Sequence, residues 1–163
     1  MLMGIDQSFT GCGVVVLDKD GKLIESALYV TDKKLSVFER SWDLFCQLFQ
    51  LAVKHQITHI AIEGLAFAMK GNATRSLAIL QGVLVTNLQY LKEFQGNANP
   101  IISVELVSPL SLKKQTTGNG KSNKEEMIKA TPEEILIDWK KQFPAKQINN
   151  LADAYHLAKT LVK

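Results

Sequence analysis

The stretch Met3-Gly4-Ile5-Asp6-Gln7-Ser8-Phe9-Thr10-Gly11-Cys12-Gly13 decides the fold, because it sets one acidic residue in an apolar β pattern and follows it with a turn. The chain then enters the apolar run 14–17, so the pattern predicts a β-hairpin. A carboxylate such as Asp6 is costly to bury without a partner. Gly11 and Gly13 permit a tight reversal and leave space above Asp6 for a cation or a phosphate. The alternative is an Asp that only caps its own turn.

The composition is that of an ordinary globular protein. A chain of 163 residues fills one core, so we expect a single domain over residues 1–163. No apolar run approaches the length of a membrane span, and the N-terminus lacks a basic region followed by an apolar one. These features predict a cytoplasmic protein without a membrane partner. The two cysteines, Cys12 and Cys46, lack metal-ligand spacing and are expected to be free thiols.

Positive charge is concentrated in one segment. The whole chain carries a net charge of +3, and segment 108–129 alone accounts for it with the lysines Lys113, Lys114, Lys121, Lys124 and Lys129. A local excess of this kind on a glycine-containing loop suggests contact with a polyanion. A solvated lysine-rich surface is the alternative.

Hydrophobic periodicity predicts the remaining elements. After the hairpin, strands are expected over residues 22–30, 58–63 and 101–107, and helices over residues 36–55 and 72–94. Residues 110–124 are expected to form a lysine loop. Two short helices should follow, with capping boxes at residues 122–125 and 131–134, and a last helix should begin near Asn149. This order predicts an α/β fold with a mixed sheet between helices on both faces.

Three isolated acidic residues stand at the ends of these elements. Asp6 ends the first strand, Glu63 ends the fourth, and Asp153 lies in the first turn of the last helix. Strands one and four are commonly neighbours in such a sheet, so Asp6 and Glu63 should lie side by side with Asp153 within reach. Converging carboxylates repel one another unless a cation lies among them, and hard oxygen ligands favour Mg²⁺ or Mn²⁺. For Asp153 alone, ordinary helix-start chemistry is the alternative.

Several motifs together resemble the RuvC-type Holliday junction resolvases of the ribonuclease H-like fold. They are residues 4–8 and 10–14, Ala61-Ile62-Glu63, helix 72–94 with Gln81-Gly82, loop 113–124 and Leu151-Ala152-Asp153-Ala154. The match runs nearly end to end and looks most like phage-borne members, which act in the host cytoplasm. The resemblance implies a five-stranded mixed sheet and a homodimer that nicks a four-way DNA junction symmetrically, with two Mg²⁺ or Mn²⁺ ions per site.

The resemblance also implies roles for individual residues. Asp6, Glu63 and Asp153 would be metal ligands, and Lys113 and Lys124 would lie near the scissile phosphate. Asn150 stands where the family has a fourth acidic residue, so it is a candidate ligand or else a helix cap. Further candidate DNA contacts are Lys114, Lys121, Lys70, Arg75 and Phe67, the last offset by one position from the family's stacking aromatic residue.

Three other functions fit parts of the sequence. Gly118-Asn119-Gly120-Lys121-Ser122 resembles the end of a phosphate-binding P-loop, but Gln115 replaces its first glycine and no strand leads directly into it. Actin-like kinases and ATPases share the opening hairpin but need two such domains. A non-catalytic junction-binding module would need no carboxylates. We therefore expect a metal-dependent endonuclease that selects branched DNA, including junctions, forks or flaps, and uses no nucleotide cofactor.

Overall fold

The computed structural model describes residues 1–65, 71–94 and 101–163. Its strands are β1 (Leu2–Asp6), β2 (Cys12–Leu17), β3 (Leu23–Tyr29), β4 (His59–Glu63) and β5 (Ser103–Val107). Its helices are α1 (Val37–Lys54), α2 (Asn72–Phe94), α3 (Pro109–Thr117), α4 (Lys124–Lys129), α5 (Glu133–Gln142) and α6 (Ile148–Thr160), with a 3₁₀ turn at Ala145–Gln147. The predicted strands and the two long helices are confirmed to within two residues at each end. Within the described residues, no helix is both long and apolar enough to cross a membrane.

The five strands form one mixed sheet in the order β3-β2-β1-β4-β5. Strand β1 pairs antiparallel with β2 and parallel with β4, which confirms the predicted neighbours. In the β1–β4 ladder, Gly4 lies opposite Ala61 and Ile5 opposite Ile62. The C-terminal ends of these two parallel strands therefore meet at one edge of the sheet.

Helices cover both faces of the sheet, as predicted. Because side chains alternate along a strand, Met3 and Ile5 of β1 face one side and pack in a core with α1 and α2. Leu2 faces the other side and packs in a second core that contains Ala61 of β4 and Leu151 of α6. The second core fixes α6 against the face of the sheet that Asp6 shares with Leu2.

The predicted lysine loop over residues 110–124 is wrong in its first half, which is helix α3. Ser108 caps this helix, with its hydroxyl oxygen accepting from the Ser111 backbone N–H at 3.1 Å. Pro109 stands in the first turn, where its missing N–H has no cost. Ser108-Pro109 is therefore a helix start as well as a strand end. The helix closes at Gly118, whose φ of +80° is the left-handed conformation that glycine favours.

Three predicted helix starts are displaced. The capping box of α4 is formed by Asn123 and Glu126, one residue beyond the expected pair. Helix α5 follows Pro132 without a side-chain cap. Helix α6 begins at Ile148, because the 3₁₀ turn before it leads directly into the helix and leaves Gln147 at the cap position. Asn150 is therefore inside α6, and its predicted alternative role as a helix cap is wrong.

Candidate active site

Asp6 and Glu63 end adjacent strands on the face of the sheet that carries α6. The last pair of the β1–β4 ladder is Ile5 with Ile62, so one further step along both strands brings Asp6 opposite Glu63. Their carboxyl groups are close enough to share a hydrogen bond. The predicted juxtaposition of these two acids is therefore present in the structure.

Close packing between helix α6 and the hairpin brings the third acid to the same place. A Cβ atom at Gly4 of β1 would overlap the backbone carbonyl oxygen of Ala154, and one at Gly13 of β2 would overlap that of Asn150. Neither overlap is relieved by a side-chain rotation, because both atoms belong to the helix backbone. The two glycines therefore let α6 lie directly on the sheet, where Asp153 lines the same cavity as the strand-end acids. Asp153 lies in the second turn of α6, so its predicted place in the first turn and the alternative of a helix-start role are wrong.

The three carboxylates line one cavity of about 340 Å³. Lys113 of α3 and Lys124 of α4 line it as well, together with Asn150, Asn149 and Ser8. Among the lysines that the sequence suggested, Lys114 and Lys121 are exposed and lie outside this lining. Arg75 is exposed near the start of α2, and Phe67 and Lys70 lie outside the described residues.

The electrostatics of the cavity show three acids that resist ionising together. Burial raises the pKa of Asp6 well above its ordinary value, and the charges of Glu63 and Asp153 raise it further. Burial raises the pKa of Asp153 to about 7, with Glu63 adding to the effect. Burial also raises the pKa of Glu63, against the opposing effects of Asp6, Lys113 and Lys124. A cation among the three groups would remove this penalty.

The donor set fits a hard divalent cation in its chemistry. Carboxylate oxygens, with an amide oxygen nearby, are the ligands that Mg²⁺ and Mn²⁺ prefer, and neither Cys12 nor Cys46, which would suit a softer ion, lines the cavity. Within residues 1–65, 71–94 and 101–163, no group of three or more His, Cys, Asp or Glu side chains is already gathered tightly enough to hold an ion. The three carboxylates therefore line the same cavity without lying close enough together to coordinate one ion as they stand.

Gln7 is a contributor that the sequence did not reveal. Its side chain is 6% exposed, and its Nε2 donates to the Glu63 backbone carbonyl at 2.7 Å and to Gln81 Oε1 of α2 at 2.8 Å. It thereby ties the end of β1 to the end of β4 from the face opposite Asp6. The available signal was a polar residue directly after Asp6, where strand alternation points it toward α2.

His156 and the P-loop-like residues 118–122 both have structural explanations. His156 lies in the core near the Met127 backbone carbonyl, 3.0 Å from its Nε2, and burial lowers its pKa. The P-loop-like residues 118–122 form the turn between α3 and α4, and the Lys121 backbone N–H donates to Asn119 Oδ1. No strand leads into that turn, so it lacks the strand–loop–helix geometry of a nucleotide-binding P-loop.

Comparison with known proteins gives a consistent result across nearly the whole chain. Residues 2–160 match the family model described as crossover junction endodeoxyribonuclease RuvC. Over 129 residues the chain is 31% identical to the crossover junction endodeoxyribonuclease RuvC of Aliarcobacter butzleri, covering 77% of each chain. It is 32% identical over 130 residues to the protein of the same name from Sulfurovum, covering 77% of this chain and 75% of that one.

Two solved structures share the fold of this chain at low sequence identity. Thermus thermophilus RuvC in complex with a Holliday junction substrate superposes with a TM-score of 0.69 at 19% identity, covering 98% of this chain and 92% of that one. The yeast mitochondrial Holliday junction resolvase Ydc2 superposes with a TM-score of 0.64 at 18% identity, covering 96% of this chain and 75% of that one. The predicted ribonuclease H-like arrangement of sheet and helices is confirmed.

Proposed function

This chain belongs to the crossover junction endodeoxyribonuclease RuvC family, and we propose that it cuts four-way DNA junctions by paired nicks at the cavity formed by Asp6, Glu63 and Asp153. The observation that carries the proposal is the meeting of these three acids, from β1, β4 and α6, beside two lysines. An anionic substrate would approach three carboxylates only if cations intervene. The residues around the cavity thus match a phosphodiester hydrolase that depends on divalent metal, and the nuclease domain spans residues 1–163.

Asp6, Glu63 and Asp153 would hold two Mg²⁺ or Mn²⁺ ions. When bound, such ions activate a water molecule and stabilise the leaving oxygen in an in-line displacement at phosphorus. Asn150 donates its Nδ2 hydrogens to Gly11 and Gln147, and its Oδ1 contacts the Asn149 amide group, so its side chain is already engaged and braces the site while the three acids supply the charged ligands. Such a site carries one negative charge fewer than four acids would.

Lys113 and Lys124 complete the site by binding the substrate's phosphate. Both face Glu63 and Asp153 closely enough to lower the pKa of each carboxyl group. Their ammonium groups neutralise part of the phosphate charge and stabilise the additional charge that develops in the transition state. Lys114 and Lys121, which are exposed on and after α3, are proposed to contact DNA at a greater distance from the reacting phosphate.

Paired nicks require two active sites, so we propose a homodimer built on the outer face of α2. Leu80, Leu84 and Leu88 turn into the core, while a second stripe at a spacing of four residues is exposed: Ala78, Gly82, Thr86 and Tyr90. Small side chains on such a stripe permit two helices to approach closely. A twofold axis along this stripe would give both subunits the same contact.

The experiment is a nicking assay on end-labelled four-way junction, fork and linear duplex in Mg²⁺, Mn²⁺ or EDTA. We expect nicks in two junction strands of like polarity, lost in EDTA and in the Asp6→Asn and Glu63→Gln variants, while junction binding persists. Asp20→Asn, in the turn at the opposite edge of the sheet, is the matched control and should cut normally. A junction that is bound but never cut by the wild type in any metal would reduce the protein to a binding module.

A further inference from the structure

A larger cavity adjoins the carboxylate cavity on the far side of Asn150. Its volume is about 810 Å³, and it shares the lining residues Lys124, Asn149 and Asn150 with the carboxylate cavity. It extends from there along the β1–β2 turn toward the end of β3 and the turn before α6. We call this space the basic groove. Because the lining is shared, a polymer held at the carboxylates has a direct path into the groove.

The charges of the basic groove are of one sign. Lys33 in the β3–α1 connection, Lys124 at the start of α4 and Lys146 in the 3₁₀ turn line it, and among its described lining residues there is no Asp or Glu. The three lysines come from parts of the chain distant in sequence and converge on one concave surface. Lys33 and Lys146 were not suggested by the sequence, because neither belongs to the lysine-rich segment 108–129. Such a surface attracts an extended anion.

The remaining lining favours contact with the backbone of a nucleic acid over the reading of its bases. Val30, which is 60% exposed, and Phe143 and Pro144 give the groove an apolar wall suited to deoxyribose rings. The amide groups that would read a base are already engaged. Gln147 Nε2 donates to the Thr10 carbonyl at 3.0 Å, and its Oε1 accepts from Asn150 at 2.7 Å.

We propose that the basic groove binds the sugar–phosphate backbone of the DNA strand that is cut, on one side of the scissile phosphate, with Lys33 and Lys146 each contacting a phosphate. This inference rests on the proposed function of the carboxylate cavity, which places the scissile phosphate at the shared wall. The groove holds the strand in register with the carboxylates. Its contacts are independent of base sequence, since lysines recognise phosphate charge alone.

The experiment compares two double variants of equal charge. One is Lys33→Ala with Lys146→Ala, and the matched control is Lys19→Ala with Lys22→Ala in the exposed β2–β3 turn at the opposite edge of the sheet. Junction affinity is measured in EDTA from about 50 to 200 mM salt. Loss of two phosphate contacts should flatten the log–log salt dependence by about 1.8 units, so the wild type should lose about tenfold more affinity over this range than the groove variant.

A second probe locates the contacts on the DNA. A series of junctions is prepared, each with one neutral methylphosphonate at a different position beside the cleavage site. Where the modified position is one that the groove contacts, the wild type and the Lys19→Ala, Lys22→Ala control should bind that junction more weakly than the unmodified one. The groove variant should bind those junctions as well as it binds the unmodified one, because the phosphate it no longer contacts is the one neutralised.

The outcomes separate this inference from the proposed function. If the wild type cuts junctions but the groove variant has the same salt dependence and the same methylphosphonate profile as its control, the basic groove is not a strand-binding site. If the wild type binds junctions with the predicted groove dependence but never cuts them, the proposed nuclease activity fails, while binding of a DNA backbone in the groove stands. A wild type that binds no DNA overturns both. If the groove variant binds a free mononucleotide more weakly than the wild type does, but binds the junction equally well, the proposal that the groove holds a DNA strand is also overturned.

Discussion

Gly4 of β1 lies directly against the backbone carbonyl of Ala154 in α6, with no room between them for a methyl group. This contact sets the distance between the strand that carries Asp6 and the helix that carries Asp153. The spacing of two proposed metal ligands thus depends on a residue that has no side chain and takes no part in the chemistry.

Gly4→Ala is expected to lower both stability and cleavage. The added Cβ must push α6 away from β1, and overpacking of this kind costs about 1–3 kcal/mol in the free energy of unfolding. Cleavage should fall further than the folded fraction does, because Asp153 moves with the helix. Gly64→Ala is the matched control for stability, since its added Cβ would lie 3.4 Å from the Val107 carbonyl oxygen, an ordinary contact. Denaturant unfolding with wild-type stability for Gly4→Ala would contradict the close-packing argument.

Metal-free protein should be less stable at pH 8 than at pH 5.5. Burial raises the pKa of Asp153 from 3.8 to about 7 on folding, so the native state binds more protons between these values. The contribution of Asp153 to the free energy of unfolding therefore falls as pH rises, by about 2 kcal/mol between pH 5.5 and pH 8. Thermal unfolding in EDTA measures the effect.

Mg²⁺ should raise the Tm at pH 8 much more than at pH 5.5, because only the ionised carboxylates bind the ion. Asp153→Asn removes one of the three acids whose pKa is raised and should reduce the pH dependence, while Asp20→Asn in the exposed turn should leave it unchanged. A Tm that is equal at the two pH values in EDTA, or insensitive to Mg²⁺ at pH 8, would argue against a cation site at these three acids.

The structure also shows which features the sequence determines and which it does not. The sequence identifies Asp6, Glu63 and Asp153 because each is an isolated acid at the end of a predicted strand or near the start of a predicted helix. The patterns that predict those elements depend only on residues close together in the chain. Helix α3 was missed because Ser108-Pro109 signals both a strand end and a helix start, and only packing of Leu112 into the core beside α6 decides between them. The basic groove was invisible because Lys33 and Lys146 meet only through tertiary folding.

Gly82→Gln tests the proposed dimer. A Cβ at Gly82 would meet nothing within 4 Å in the isolated chain, so the substitution is sterically free in the monomer, and a longer side chain in place of glycine suits a helix interior. In a close twofold contact along α2 the same side chain would separate the helices. Sedimentation should therefore show a dimer for the wild type at micromolar concentration and a monomer of unchanged or higher Tm for the variant. A wild type that sediments as a monomer while making paired nicks in one encounter would refute the interface.

Asn150 joins the start of α6 to the β1–β2 turn. Its Nδ2 donates to the Gly11 backbone carbonyl at 2.5 Å and to Gln147 Oε1 at 2.7 Å, while its backbone carbonyl lies against Gly13. Replacement by Asp removes both donors and sets a carboxylate against two acceptor oxygens. Leaving such groups unpaired costs about 1–3 kcal/mol.

We therefore expect Asn150→Asp and Asn150→Ala both to lower the Tm, and neither to lower the Mg²⁺ concentration needed for half-maximal cleavage. If Asn150 acted chiefly as a metal ligand through Oδ1, the extra charge of Asp would strengthen ion binding, so Asn150→Asp would need less Mg²⁺ and Asn150→Ala more. Asn149→Asp, one residue earlier on the same cavity wall, is the control for adding a charge there: it keeps the hydrogen bonds to Gly11 and Gln147 and loses only the one that Asn149 donates to Asn150 Oδ1. A wild-type Tm combined with a lower metal requirement for Asn150→Asp alone would establish the ligand role and overturn the bracing role.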